Sequence, residues 1–177
     1  MTRTARLLAG CTLIAAVGLF PTMQANAAPS NGGVLATFEG RTINLAQSWG
    51  AATACTSDGV TTQCFRSVAE MDQVLDSVAS SASISPLAMC TTSLRLYSGI
   101  SYSATVLQLS SRGTAINLST YGFDNMTSSY QVGACGSTFY DGANRVAPTY
   151  PGPTGANAAS SSMLTGWDNR VSSVYIA

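Results

Sequence analysis

The amino-acid sequence predicts a mainly β protein, with a β-sandwich in about its last half preceded by a small disulfide-closed hairpin and a helix. Three observations carry this prediction. Beyond residue 86 the chain is a series of short alternating runs separated by Gly, Ser and Asn, a unit of a little over forty residues occurs twice there, and an even set of cysteines follows an export signal.

The export signal comes first in the chain. Met1 to Arg6 holds two arginines, Leu7 to Phe20 is uncharged, and Pro21 leads to the small-residue triplet Ala25-Asn26-Ala27. A positive stretch, an apolar stretch and an A-x-A site make residues 1–27 a signal peptide, with the secreted, extracellular chain starting near Ala28. The apolar stretch is shorter than the roughly 20 residues of a spanning helix, and no later stretch qualifies, so no membrane anchor is expected. Leu8-Ala9-Gly10-Cys11 fits a lipidated-cysteine pattern, but most of the apolar stretch follows it rather than preceding it, which places Cys11 in the discarded peptide.

Cleavage leaves six arginines against eight acidic residues, a net charge of −2. No basic surface is available for nucleic acid or anionic lipid. The mature chain contains neither His nor Lys. Ser-His-Asp and Cys-His nucleophiles, Ser-Lys dyads, Schiff bases and imidazole-dependent zinc sites are therefore excluded.

Residues 28–86 are read as a hairpin-plus-helix segment ending in a linker. Val34, Ala36 and Phe38 alternate, Glu39-Gly40 marks a turn, and Ile43 and Leu45 alternate again. Cys55 and Cys64 enclose Asp58-Gly59, a hairpin turn signal, so these two are paired locally; Cys90 with Cys135 follows by elimination. A Cys-only metal site is the alternative, but no spacing is C-x-x-C. Ser67-Val-Ala-Glu70 is a capping box, and Met71, Val74, Leu75 and Val78 share one helical face, predicting a helix from about Val68 to Ala79. Ser80 to Pro86 breaks the pattern and marks the boundary before a second unit, residues 87–177.

That second unit reads as strands at 94–97, 105–109, 115–118, 130–132, 138–140 and 172–176. Within it Asp124-Asn125-Met126-Thr127-Ser128-Ser129 recurs as Asp168-Asn169-Arg170-Val171-Ser172-Ser173, 44 residues on. Asp-Asn occurs nowhere else in the chain. A weaker correspondence aligns Tyr97-Ser-Gly-Ile-Ser-Tyr102-Ser-Ala104 with Tyr140-Asp-Gly-Ala-Asn-Arg145-Val-Ala147 at an offset of 43. Two correspondences at nearly one offset define a repeat.

These residues resemble the βγ-crystallin superfamily, whose Greek keys carry an aromatic-x-x-x-x-aromatic-x-Gly hairpin and, in calcium-binding microbial members, an Asn/Asp-Asn/Asp-x-x-Ser/Thr-Ser motif. The likeness covers about residues 90 to 177 and implies a two-Greek-key sandwich. It implies calcium, two ions in all, each between a hairpin of one key and the Asp-Asn loop of the other. The implied ligands are Asp124, Asn125 and Ser128 from the first motif and Asp168, Asn169 and Ser172 from the second, with main-chain carbonyls near Ser98 and Asp141. The chemistry agrees independently, because calcium takes 6 to 8 hard oxygens and these side chains supply them. One formal charge per motif predicts weak sites, on the order of 10⁻⁴ to 10⁻³ M. The competing reading is that Asp-Asn merely caps a turn and Ser-Ser begins a strand; two copies in register favour metal. The chain departs from the pattern where Ala104 and Ala147 replace the hairpin glycine, and where Arg145 replaces an aromatic.

The function expected is a secreted, non-enzymatic module stabilised by calcium. A proteinase inhibitor is the alternative, since some secreted actinobacterial metalloproteinase inhibitors are similar to single βγ-crystallin domains, which would make an extracellular protease the partner. A cell-wall component is another partner considered, and Asp124 with Asp168 as a carboxylate pair for glycoside hydrolysis is the weakest reading. The stretch from Pro148 to Asn157 is either a presented loop carrying Tyr150 or, with greater weight, a crossover between strands.

Overall fold

The short apolar runs that mark the strands in sequence reappear as burial, here on both faces of the sheet. In the computed structural model, which describes residues 32–81 and 93–177, Leu94, Leu96 and Tyr97 of one strand and Val106, Leu107 and Leu109 of the next are almost wholly buried. The elements in order are β1 (Leu35–Phe38), β2 (Arg41–Asn44), β3 (Ala54–Ser57), β4 (Thr62–Phe65), α1 (Val68–Ser81), β5 (Leu94–Gly99), β6 (Ser103–Leu109), β7 (Ala115–Asn117), β8 (Ser129–Gln131), β9 (Ser137–Tyr140), β10 (Ala159–Ser160) and β11 (Ser173–Ile176).

Among the described residues they form two sheets, an eight-stranded one in the order β10-β8-β5-β6-β3-β4-β1-β2 and a three-stranded one in the order β7-β11-β9. The repeat is visible in the pairing. The first unit places β5, β6 and β8 in the large sheet and sends β7 across to pair with β11; the second keeps β9 and β11 in the small sheet and sends β10 across to pair with β8. Each unit lends one strand to the other's sheet, so neither can close its hydrophobic face alone. This is a mainly β, two-Greek-key sandwich, as the resemblance implied.

The core lies between the sheets. Tyr130, Phe139, Tyr150 and Trp167 form a chain of ring contacts with centroids 4.9 to 5.7 Å apart. Tyr150 is buried, its hydroxyl accepting a hydrogen bond from Leu164 N at 3.2 Å, so the proline-braced segment delivers its tyrosine to the core rather than presenting it.

The segment before the helix does not stand apart. Its hairpin β3–β4 places Cys55 directly opposite Cys64, and the two form a disulfide. β3 then pairs in parallel with β6, Ala54 opposite Val106 through Ser57 opposite Leu109, which adds β3, β4, β1 and β2 to the edge of the sandwich. The linker read at residues 80–86 therefore divides the chain in sequence, while the strands on its two sides share one sheet and one core. Helix α1 packs Met71 with Val74 and Leu75 on Ala54, Phe65, Tyr97 and Val106, on the outer face of that sheet. Its start is capped as expected by Ser67 Oγ, which accepts from Glu70 N at 3.1 Å, but the Glu70 carboxylate reaches Arg66 N at 2.9 Å rather than the Ser67 amide. Cys135 is disulfide-bonded; Cys90 and the signal peptide lie outside the described residues.

Candidate functional site

Each Asp-Asn loop turns sharply on its asparagine. Asn125 and Asn169 both have φ of 55°, in the left-handed region that Asn tolerates better than most residues. That turn carries each loop across the approximate two-fold relation between the repeats. Asn125 N donates to Val171 O at 3.1 Å and Asn169 N to Thr127 O at 3.0 Å, so each loop is held by the other motif.

The six motif residues are consequently not assembled motif by motif. Ser128 Oγ lies 3.3 Å from Asn169 Oδ1, and Ser172 Oγ lies 3.3 Å from Asn125 Oδ1. Two equivalent polar clusters result, one built on Ser128 and Asn169, the other on Ser172 and Asn125. Asp124 and Asp168 are exposed, and each takes a long contact from the amide of the asparagine beside it, at 3.4 and 3.5 Å.

Each cluster rests against the hairpin of its own repeat. Ser128 N donates to Tyr97 O at 2.8 Å and Ser172 N to Tyr140 O at 2.9 Å. The second serine of each motif, not singled out in the sequence, locks the hairpin. Ser129 Oγ donates to Gly99 O at 2.6 Å and accepts from Tyr102 N at 3.1 Å; Ser173 Oγ donates to Gly142 O at 2.6 Å and accepts from Arg145 N at 3.0 Å. Both serines are wholly buried. Their signal was present, since the repeat contains Ser-Ser both times, but Ser-Ser is too common in this chain to read alone.

Ser98 and Asp141 each sit between the two hairpin carbonyls so engaged. Opposite Ser98 the ladder is irregular, one residue of β5 facing two of β6, and Thr105 N donates to Ser98 Oγ at 3.0 Å. Ala104 stands at that irregularity with φ of 64°, the strained conformation expected where alanine replaces the hairpin glycine. The second hairpin repeats the left-handed pair of the first, Asn144 and Arg145 matching Ser101 and Tyr102, but Ala147 does not take positive φ. Where Tyr97 and Tyr102 meet edge to face at 5.6 Å, Arg145 instead lays its guanidinium 4.3 Å from the centre of the Tyr175 ring and 5.9 Å from that of Tyr140. A cation over aromatic faces thus replaces an aromatic pair. Asp141 forms an ion pair with Arg170 at 2.8 Å, which holds the Arg170 pKa above its ordinary value.

The donor set at each cluster is a carboxamide and a hydroxyl oxygen beside main-chain carbonyls, all hard oxygens suited to calcium rather than to a thiophilic metal. No group of three or more His, Cys, Asp or Glu side chains occurs among the described residues, so strong sites built on several carboxylates are not what these loops offer.

Comparison with protein families and with curated proteins finds no match. Among solved structures the chain is similar to a βγ-crystallin from Ciona intestinalis, with 20% identity and a TM-score of 0.41, over 48% of this chain and 99% of that one. A βγ-crystallin domain from Clostridium beijerinckii has 17% identity and a TM-score of 0.40, over 48% of this chain and 97% of that one. One from Flavobacterium johnsoniae has 18% identity and a TM-score of 0.38, over 48% and 92%. These solved structures are all βγ-crystallin domains, the same family that the two-fold repeat of this chain resembles.

Proposed function

We propose that the chain is a secreted, non-enzymatic, calcium-binding module of βγ-crystallin type, in which two weakly held ions stabilise the sandwich. The observation that carries this reading is the reciprocal placement of Asn169 beside Ser128 and Asn125 beside Ser172. A turn-capping role for Asp-Asn would be satisfied within its own loop; here each loop instead brings an amide oxygen to the serine of the other repeat. Asp168, Asn169 and Ser128 would serve one ion, and Asp124, Asn125 and Ser172 the other, with hairpin carbonyls near Ser98 and Asp141. Calcium supplies charge neutralisation where the two repeats meet. The chain's own residues orient the oxygens through the left-handed asparagines and the buried serines.

An ion so placed ties a loop of one repeat to a hairpin of the other, and it binds the folded state alone. At calcium ten times the dissociation constant each site adds about 1.4 kcal/mol. Thermal unfolding followed by circular dichroism in 10 mM calcium and in excess chelator tests this: the expected result is a Tm several degrees higher with calcium. Identical melts would remove the proposal. The inhibitor alternative lacks comparable support, because the loop best suited to presentation buries its Tyr150. Activity against a protease or a cell-wall polymer is not part of this reading.

A further inference from the structure

The two clusters are alike in their asparagines and serines but not in the residues around them. At the position after Asp-Asn the first motif has Met126 and the second Arg170; after the hairpin tyrosine the first unit has Ser98 and the second Asp141. Met126 thus borders Asn125 and Arg170 borders Asn169. Arg170 nevertheless pairs with Asp141, whose hairpin carries the Ser172–Asn125 cluster, whereas Ser98 at the other hairpin has no charge to pair.

Asp141 follows Tyr140, whose carbonyl accepts from Ser172 N at 2.9 Å, and precedes Gly142, whose carbonyl accepts from Ser173 Oγ at 2.6 Å. The backbone on both sides of Asp141 is thus anchored to the motif that supplies Ser172. Arg170 reaches it with one guanidinium nitrogen at 2.8 Å, while another donates to Gly166 O at 3.3 Å and the group lies 5.2 Å from the centre of the Trp167 ring. These three contacts orient a partly exposed guanidinium toward Asp141.

We propose that Arg170 is the affinity-setting residue of the Ser172–Asn125 site, a tethered cation that neutralises Asp141 and keeps this site weaker than a site with a free carboxylate would be. The inference rests on the calcium reading above. Asp141 is a second carboxylate beside a site to which Asp124 already offers one, and its pairing with Arg170 weakens its attraction for a second cation. Both partners are partly exposed, with side-chain exposures of 45% and 28%, so the pair itself is worth little to the fold and its charges can be altered singly.

Opposite signs are then expected from the two single substitutions. Calcium titrations by isothermal calorimetry on the whole protein should show R170M tightening one of two sites about tenfold, the size of one unmasked charge at contact range, with the other unchanged. D141N, which leaves the guanidinium unpaired, should weaken that same site by a similar factor. The double variant should return close to the parent, and R170K, which keeps the charge, should stay within about twofold of it. Adding S128A, which lies at the other cluster, should leave the R170M gain intact. Calcium binding with constants unmoved by R170M and D141N would overturn the inference alone. The same result would follow if both variants moved the site in one direction, as loss of packing on Trp167 would do. No binding in the parent or any variant would overturn the calcium reading itself.

Discussion

Ser129 and Ser173 each hold a hairpin carbonyl and a hairpin amide through a wholly buried hydroxyl, so alanine in either place leaves both groups without their partner. S129A and S173A should each cost about 1 to 3 kcal/mol in urea unfolding without calcium. Ala104 presents the opposite case. Its φ of 64° costs an L-residue roughly 1 to 2 kcal/mol that glycine avoids, set against the greater entropy glycine loses on folding. A104G should therefore stabilise by up to about 1 kcal/mol, and a lower urea midpoint for A104G would contradict this account of the bulge. At this scale the sequence was partly legible. The Asp-Asn coupling pointed to Asn125 and Asn169, while alanine at the hairpin glycine singled out Ala104 and Ala147 alike, of which only Ala104 takes positive φ. The exchange that pairs Asn125 with Ser172 was not readable from residues alone, because it arises from loops 44 residues apart meeting across a two-fold relation.

The hairpin β3–β4 is closed twice, by its disulfide and by its turn. Asp58 accepts from Val60 N at 2.8 Å and from Thr61 N at 2.7 Å, while Thr61 Oγ1 donates to it at 2.8 Å. These bonds, that from the Thr61 amide first, lower the Asp58 pKa below the usual carboxylate value. A depressed folded-state pKa means stability present above the unfolded value, near pH 4, and lost as pH falls through the folded one. D58N should therefore remove part of the acid sensitivity of this hairpin, seen as a smaller parent-to-variant difference in stability at pH 2 than at pH 6. Cys55 and Cys64 are nine residues apart, and C55A/C64A should lose roughly 2 to 3 kcal/mol on loop-closure grounds. Elements were the most legible level. The turn at Asp58-Gly59, the capping serine at Ser67 and the strand alternations are local signals, each read within a few residues. β10 was missed because two residues between turns carry no alternation.

The whole molecule is where sequence reading reached least far. A parallel pairing such as β3 with β6 needs no turn and no shared motif, so nothing at residues 54–57 announces a partner at 106–109. That pairing makes the segment before the helix part of the large sheet. Residues 93–177 expressed alone should accordingly expose the β6 edge and the apolar patch of Tyr97 and Val106, and they should aggregate or associate in size-exclusion chromatography where the full protein does not. The same scale decides the calcium question, since each proposed site is made from both repeats. Equilibrium dialysis with radiolabelled calcium tests that most directly: two ions per chain are expected for the parent, one for N169A/S128A, whose changes fall in a single site, and none for N169A/N125A, whose changes fall in both. No calcium bound to the parent, or loss of both ions from N169A/S128A, would contradict it.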